Sequence, residues 1–205
     1  MTEPKNSQVA TEKLGVNKNT IPELLKDRDQ WIVWKALKKD NGNKVSKVPI
    51  DPISGRNINA LNKKNHMDFD TAFHKYEIGS GSGIGFVLTG EPLKISNKLF
   101  YIVGGDIDNV IDSHAKNCAR KLVKNIGSYC EISPSGNGVR VFALSSIPVG
   151  KGQSNSGEMY YEKRFLTVTG RGPYRKLVDA SNVLQGIENQ WWPAIKSCLE
   201  NKSVS

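Results

Sequence analysis

An apolar run that ends in two closely spaced carboxylates constrains this chain more than any other feature. The run covers residues 99–103, and Asp106-Ile107-Asp108 follows it after two glycines. Because side chains alternate along a strand, Asp106 and Asp108 are predicted to project from one face. Both faces of the run are largely apolar, which predicts a central strand covered on both sides. Neighbouring carboxylates repel each other unless a cation joins them, so this strand end is a candidate site for Mg²⁺ and phosphate chemistry.

Composition predicts a globular domain with a basic surface. The chain has 205 residues, 38% of them hydrophobic, and a formal net charge of +9. A positive balance of this size favours polyanionic partners, nucleic acid first, although a basic protein without such a partner fits equally well. No apolar run approaches the ~20 residues that span a bilayer, and the polar N-terminus does not resemble a signal peptide. We therefore expect a cytoplasmic protein with no membrane partner.

Short strands alternate with a few amphipathic helices. Apolar patterning between turn residues predicts strands at residues 31–35, 45–50, 84–89, 99–103, 129–132, 139–144, 158–161 and 164–169. The first two form a predicted N-terminal hairpin around a turn at residues 40–43. Helices are predicted at residues 68–76, 113–126 and 187–199, and a capping box at Thr20 and Glu23 predicts another short one. Ser113 is the predicted N-cap of the long helix, and Gly127 is predicted to close it.

A glycine- and serine-rich turn at residues 133–138 is a candidate phosphate site. Its sequence, Ser-Pro-Ser-Gly-Asn-Gly, offers hydroxyls and backbone N–H groups to phosphate oxygens. The same residue types also occur in tight turns for backbone reasons alone. Arg140 follows on a predicted strand and shares a face with Phe142 and Leu144. A cation in that position is expected to meet an anion.

Further charged residues follow the polar loop at residues 150–157. Glu158 is the candidate third acidic ligand, and a solvated glutamate at a strand edge is the equally good alternative. Arg164, Arg171 and Arg175 either meet phosphates or form an ordinary basic surface. The three cysteines, Cys118, Cys130 and Cys198, are too far apart for a CxxC zinc pattern, so no zinc is expected.

The order of these segments resembles a known family. Together they are similar to the primase-polymerase domain of the archaeo-eukaryotic primase superfamily, in the versions found on phages, plasmids and other mobile elements. The resemblance spans roughly residues 25–180 and is carried by residues 31–35, 47–49, 83–89, 106–108, 133–141, 158–160 and 164–170. It implies an α+β fold with an RRM-like (split β-α-β) core, a mixed or antiparallel sheet flanked by helices, and an N-terminal strand-hairpin subdomain.

The resemblance also implies a division of the chain. Residues 1–20 would be a flexible polar tail, residues 21–180 the catalytic domain, and residues 181–205 a C-terminal helix and tail. Catalysis and the binding of two Mg²⁺ or Mn²⁺ ions would fall to Asp106, Asp108 and Glu158. The residues expected to bind the nucleotide are Ser133, Ser135, Gly136, Arg140, Arg164, Phe165 and Lys47.

Arg140 departs from the family pattern, which commonly has histidine there. Arginine can hold a phosphate with two parallel hydrogen bonds, but it cannot release and regain a proton near neutral pH. The family's activity would be nucleotidyl transfer from nucleoside triphosphates on a single-stranded DNA template, during replication of a phage or mobile element. The implied partners are template and primer strands, nucleoside triphosphates, and a replicative helicase that is fused or separate.

Three other functions compete with this interpretation. A catalytically weak or inactive replication-initiator module of the same fold, which binds single-stranded nucleic acid, is favoured by Arg140. A nuclease using the same carboxylates is disfavoured because His66, His74 and His114 lie outside the motifs. A dinucleotide-binding fold is set aside because the glycine-rich segment at residues 81–85 precedes a strand, whereas that fingerprint follows a strand and opens a helix.

Overall fold

Two packed β-sheets form the framework of the described residues, and helix residues pack against both of them. The computed structural model describes residues 15–38, 45–108, 110, 112–149, 152–154 and 157–186. The predicted turn at residues 40–43, the predicted helix at 187–199 and most of the predicted tail lie outside these ranges. None of the helices in the described ranges is long and apolar enough to cross a bilayer.

The helices and strands follow the predicted order, with additions. The strands are β1 (Trp31–Lys38), β2 (Val45–Ile50), β3 (Gly83–Thr89), β4 (Leu93–Ile95), β5 (Lys98–Ile107), β6 (Cys130–Ile132), β7 (Val139–Ser145), β8 (Gly152–Ser154), β9 (Gly157–Tyr160) and β10 (Glu162–Val168). The helices are α1 (Glu23–Lys26), α2 (Phe69–Glu77), α3 (Ser113–Ile126) and α4 (Ser181–Gly186).

The first sheet has the strand order β10-β3-β1-β2 and is antiparallel throughout. The pairing of β1 with β2 confirms the predicted N-terminal hairpin strands. The hairpin is not a separate subdomain, however, because β3 and β10 extend it into one continuous sheet. Sequence patterns did not predict that β10, which follows much later in the chain, would join this sheet.

The second sheet has the order β6-β7-β5-β9-β8, with β4 also paired to β5. The strand that carries Asp106 is therefore central, as predicted, and its pairings with β7 and β9 are both antiparallel. Residues of α3 pack on one face of this sheet, against Val103, Val141 and Ala143. The opposite face packs against the first sheet through a core that includes Phe86 and Phe142.

Gly104 allows the two sheets to approach closely. A Cβ atom at this position would lie 2.5 Å from the Leu166 Cδ1 atom and 3.0 Å from the Leu88 Cδ1 atom. The space beside this residue is thus filled by side chains of β10 and β3. This glycine serves sheet packing, and a larger residue would require the Leu166 and Leu88 side chains to shift.

Two predicted helix caps differ from those observed. The N-cap of α3 is Asp112, whose Oδ1 accepts a hydrogen bond from the Ala115 N–H at 2.7 Å, and Ser113 is the first helical residue. Helix α1 begins after Pro22 without a side-chain cap. The Thr20 hydroxyl instead lies close to the backbone oxygens of Asn17 and Gly170. Gly127 closes α3 as predicted, with a φ of 62°.

The N-terminal boundary of α3 can be tested through its cap, Asp112. We expect Asp112→Ala to lower the free energy of unfolding by about 1 kcal/mol, because the Ala115 N–H loses its acceptor. Ser113→Ala should change it by only a few tenths, since the Ser113 side chain does not cap the helix. Urea unfolding followed by circular dichroism measures both. A larger loss for Ser113→Ala than for Asp112→Ala would contradict the observed cap.

Candidate active site

Four charged side chains form a row across the second sheet. Asp106 of β5 is opposite Arg140 of β7 on one side and Glu158 of β9 on the other. Arg140 is in turn opposite Glu131 of β6. Directly opposed residues on antiparallel strands have their side chains on the same face of the sheet. The register therefore brings together three residues predicted from distant sequence motifs.

Arg140 is buried and bonded to protein groups on both sides. Its Nη2 lies 3.0 Å from the Asp106 Oδ2, and the two side chains are only 3% and 19% exposed. Its Nη1 lies within hydrogen-bond reach of the Thr167 backbone oxygen at 3.5 Å and contacts the Thr167 hydroxyl. The anion that this cation was expected to meet is thus Asp106. The guanidinium is turned inward and joins β7 to β5 and to β10 of the first sheet.

Asp108 lies just beyond the end of β5 and is exposed. Partial burial and the Asp106 charge raise the pKa of Asp108, while Arg140 and Lys47 oppose this rise. The two carboxylates are therefore close enough to repel each other, as the alternation of side chains predicts. Asp106 Oδ1 is buried and has no hydrogen-bond partner among the described residues. An acceptor without a donor beside a second carboxylate fits a hard cation.

Glu158 is held by two neighbours. Its Oε2 accepts hydrogen bonds from the Arg164 Nη2 at 2.8 Å and from the Tyr160 hydroxyl at 2.5 Å. The Arg164 guanidinium also lies over the Tyr160 ring, 4.9 Å from its centroid. Burial and the Glu158 contact raise the pKa of Tyr160 to about 12. Glu158 is thus an ion-paired residue within the row, which excludes the solvated strand-edge alternative.

The described residues do not form a ready-made three-ligand metal site. No group of three His, Cys, Asp or Glu side chains in the described ranges is placed to hold one ion. Asp106 and Asp108 provide suitable oxygen donors, but Glu158 is oriented toward Arg164. Two of the three predicted metal ligands are therefore engaged by arginines.

The turn at residues 133–138 lies beside the end of β5. Val139 is opposite Ile107, and the Val110 N–H donates to the Asn137 backbone oxygen at 2.9 Å. Ser133 is buried, and its Oγ is 3.1 Å from that of Ser135, which is exposed. Gly136 is also exposed and adopts a φ of 76°, a left-handed conformation that favours glycine. The turn therefore lies beside the end of β5 that precedes Asp108.

Lys47 and Phe165 come from the first sheet. Burial and the Arg140 charge lower the pKa of Lys47 to about 8, and Asp106 and Asp108 partly offset this effect. Lys47 therefore lies within the electrostatic field of the row. Phe165, by contrast, packs against Ile32 and Val87 in a small apolar cluster on the first sheet. No described contact joins Phe165 to the carboxylates.

Glu131 is a residue of this region that the sequence motifs missed. Its side chain is fully buried, and its Oε2 accepts hydrogen bonds from the Tyr129 hydroxyl, the Thr169 N–H and the Gly170 N–H at 2.7, 2.8 and 3.0 Å. These bonds fasten the end of β10 to β6, and so set the position of Thr167 beside Arg140. The signal in the sequence was a charged residue inside an apolar strand.

Comparison with known proteins agrees with the motif order. No family model matches the chain. Over 150 residues, or 69% of its length, the chain is 32% identical to a DNA primase-polymerase of Nitratiruptor phage NrS-1. The chain belongs with the phage-type primase-polymerase domains. This confirms the family that the motifs predicted. The match spans 19% of the relative's own length, so the chain corresponds to about a fifth of that protein.

Proposed function

We propose that the chain is a DNA primase/polymerase domain that catalyses metal-dependent nucleotidyl transfer from nucleoside triphosphates on a single-stranded DNA template. The observation that carries the proposal is the row of Arg140, Asp106 and Glu158 in register across three strands, with Asp108 at its edge. Similarity to a phage DNA primase-polymerase supports it independently. Phage or mobile-element replication, a cytoplasmic location and a helicase partner, fused or separate, belong to the same proposal.

The proposed core is an RRM-like split β-α-β unit. Strands β5 and β6 are connected through α3, and each pairs antiparallel with β7, which lies between them. They consequently run in the same direction without pairing directly. This arrangement supports the proposed core.

Mg²⁺ or Mn²⁺ would be held by Asp106 and Asp108, with Glu158 as the third ligand. The Asp106 Oδ1, which has no partner among the described residues, and the repulsion between Asp106 and Asp108 support this choice. When bound, the metal supplies Lewis-acid activation of the primer 3′-hydroxyl and neutralises charge on the pyrophosphate leaving group.

The remaining residues would position the triphosphate. Lys47 and Ser135 are the cationic and hydroxyl groups proposed to bind phosphate oxygens, and Arg164 is proposed as a further phosphate contact. Arg140 has a different proposed role from the one the motif implied. One terminal nitrogen of Arg140 binds Asp106 and the other binds Thr167, so Arg140 would fix the Asp106 carboxylate in position. The proposed chemistry therefore needs no proton exchange at this position.

A primer-extension assay tests the function. The 205-residue chain should extend a labelled primer on single-stranded DNA when nucleotides and Mg²⁺ or Mn²⁺ are both present. Incubation with metal but no nucleotides should leave the DNA intact. Degradation of the DNA under these conditions would instead indicate the competing nuclease function. If an Asp106→Asn/Asp108→Asn double variant gave the same amount of product as the wild type, the carboxylates would not be the catalytic residues.

A second candidate function is a catalytically weak module that binds single-stranded nucleic acid. Two specific observations favour it, the Arg140–Asp106 and Arg164–Glu158 ion pairs, which engage two of the three carboxylates. Tight binding of a single-stranded oligonucleotide, without extension and without Mn²⁺-dependent nucleotide binding in calorimetry, would favour this module over the polymerase.

The low pKa of Lys47 predicts how nucleotide binding depends on pH. Lys47 is protonated below about pH 8 and loses its charge above it. If the charge is required, affinity for a nucleoside triphosphate should fall about tenfold between pH 7 and pH 9, as the protonated fraction falls. Lys47→Arg should remove this fall because arginine stays charged. Titrations of a fluorescent nucleotide at pH 7 and pH 9 measure this fall in affinity. An equal fall in the wild type and in Lys47→Arg would show that the charge of Lys47 does not cause it.

A further inference from the structure

A groove lies on the side of the second sheet that faces away from Asp106 and Arg140. Register places Ile132 opposite Val139 and Cys130 opposite Val141, and these residues are on the α3 face, whereas Asp106 and Arg140 alternate to the other face. The groove runs between α3 and β6 and has a volume of about 330 Å³. Its apolar lining is formed by Val110, Ala119, Val123, Ile132, Val139 and Pro173.

The rim of the groove is positively charged. Lys116 and Arg120 lie one turn apart on α3, both are exposed and both border the groove. Neither makes a salt bridge within the described part of the chain. Helix α3 contains no acidic residue at all. The one acidic residue that borders the groove among those described is Glu131, which is buried and bonded to Tyr129 and the backbone.

The lining identifies the kind of partner. Single-stranded nucleic acids are usually held by aromatic side chains that stack on the bases. None of the described residues that line this groove is aromatic. Ile132 keeps 52% of its surface exposed at the groove although it is a large apolar residue. Aliphatic walls beneath two cations that form no salt bridge with the described residues match an apolar side chain flanked by carboxylates.

We propose that this groove binds a short acidic segment of another protein, with one bulky apolar side chain inserted against Ile132, Val123 and Pro173 and its carboxylates on Lys116 and Arg120. The carboxylates of Asp106 and Glu158 are on the opposite face of the sheet, whereas Gly136 and Gly138 of the turn at residues 133–138 border the groove. A bound segment would leave these two carboxylates uncovered and would lie beside the turn.

Fluorescence anisotropy with a synthetic peptide tests the proposal. The probe is a fluorescein-labelled peptide of four aspartates followed by isoleucine and phenylalanine, titrated with the 205-residue chain. We expect the Lys116→Glu/Arg120→Glu variant to bind at least about tenfold more weakly. The matched control is Lys64→Glu/Lys121→Glu, which makes the same charge change at two exposed lysines that do not line the groove and should weaken binding less than about threefold.

Two further measurements keep the test informative if the charge-reversed variant is unstable. Ile132→Ser changes a half-exposed side chain and should weaken peptide binding at least about threefold without altering the circular dichroism spectrum. A peptide with serines in place of isoleucine and phenylalanine should bind correspondingly more weakly. Equal losses in both charge-reversed pairs, or no binding of the peptide to the wild type, would overturn the proposal. The proposal would also be overturned if Lys116→Glu/Arg120→Glu weakened the binding of a labelled oligo-dT probe but not of the peptide. That result would assign the groove to nucleic acid.

Discussion

Replacing Asp108 with asparagine is expected to lower nucleotide incorporation at least ~100-fold while the protein stays as stable as the wild type, or becomes slightly more stable. Asparagine keeps the size of the side chain but removes the charge that a metal ion needs. Asp108 is exposed and makes no described salt bridge, so the folded state loses little. Partial burial and the Asp106 charge raise the pKa of Asp108, which means that the folded protein disfavours its ionised form. Removing that charge relieves the repulsion.

Steady-state extension rates and thermal unfolding of the same preparation measure both effects. Asp29→Asn is a suitable control because it makes the identical chemical change on an exposed residue between α1 and β1, outside the carboxylate row. It should leave both quantities unchanged. Wild-type incorporation by the Asp108 variant would remove this residue from the proposed site, and a large fall in its thermal midpoint would indicate a structural role instead.

Removing the Arg140 side chain is expected to cause the largest loss of stability at the site. Arg140→Met should lower the free energy of unfolding by about 3 kcal/mol, because it leaves the largely buried Asp106 carboxylate without its counter-ion. Arg164→Met provides a matched comparison, since Arg164 also pairs with a carboxylate but is 48% exposed. That change should cost less than about 1 kcal/mol, as expected for a surface pair.

A double-mutant cycle separates the energy of the Asp106–Arg140 ion pair from the other contributions of the Arg140 side chain. If the two charges stabilise each other, Asp106→Asn/Arg140→Met should lose less stability than the sum of the single variants. Urea unfolding at pH 7 gives all four values. Equal costs for Arg140→Met and Arg164→Met would show that the Arg140 guanidinium is not confined in the fold.

Local patterns in the sequence predicted the individual parts of the site well. The central position of β5 follows from its two apolar faces, and the amphipathic spacing of α3 predicts the face that packs on the second sheet. The prediction of Glu158 as the third acidic residue could not be derived from spacing alone, because its place beside Asp106 depends on the pairing of β9 with β5. The family resemblance supplied that information.

Features that depend on contacts between distant segments were not predictable. Thr20 has the sequence of a helix cap, but its hydroxyl lies against the backbone of Gly170 instead. Arg140 was expected to bind a phosphate. In the structure its terminal nitrogens contact Asp106 of β5 and Thr167 of β10, and the contact with β10 could not be predicted from local patterns. Glu131 was overlooked for the same reason, since two of its three donors are backbone N–H groups from beyond β10.

The insertion of β10 beside β3 has a consequence for how the protein is made. Strands β1 and β2 can pair as soon as they are synthesised, whereas β3 has one unpaired edge until β10 emerges from the ribosome. All of the second sheet up to β9 is translated in that interval. An open strand edge is a template for association with other chains. The nascent chain is therefore most vulnerable to aggregation between the synthesis of β3 and that of β10, and chaperone dependence should be concentrated in this window.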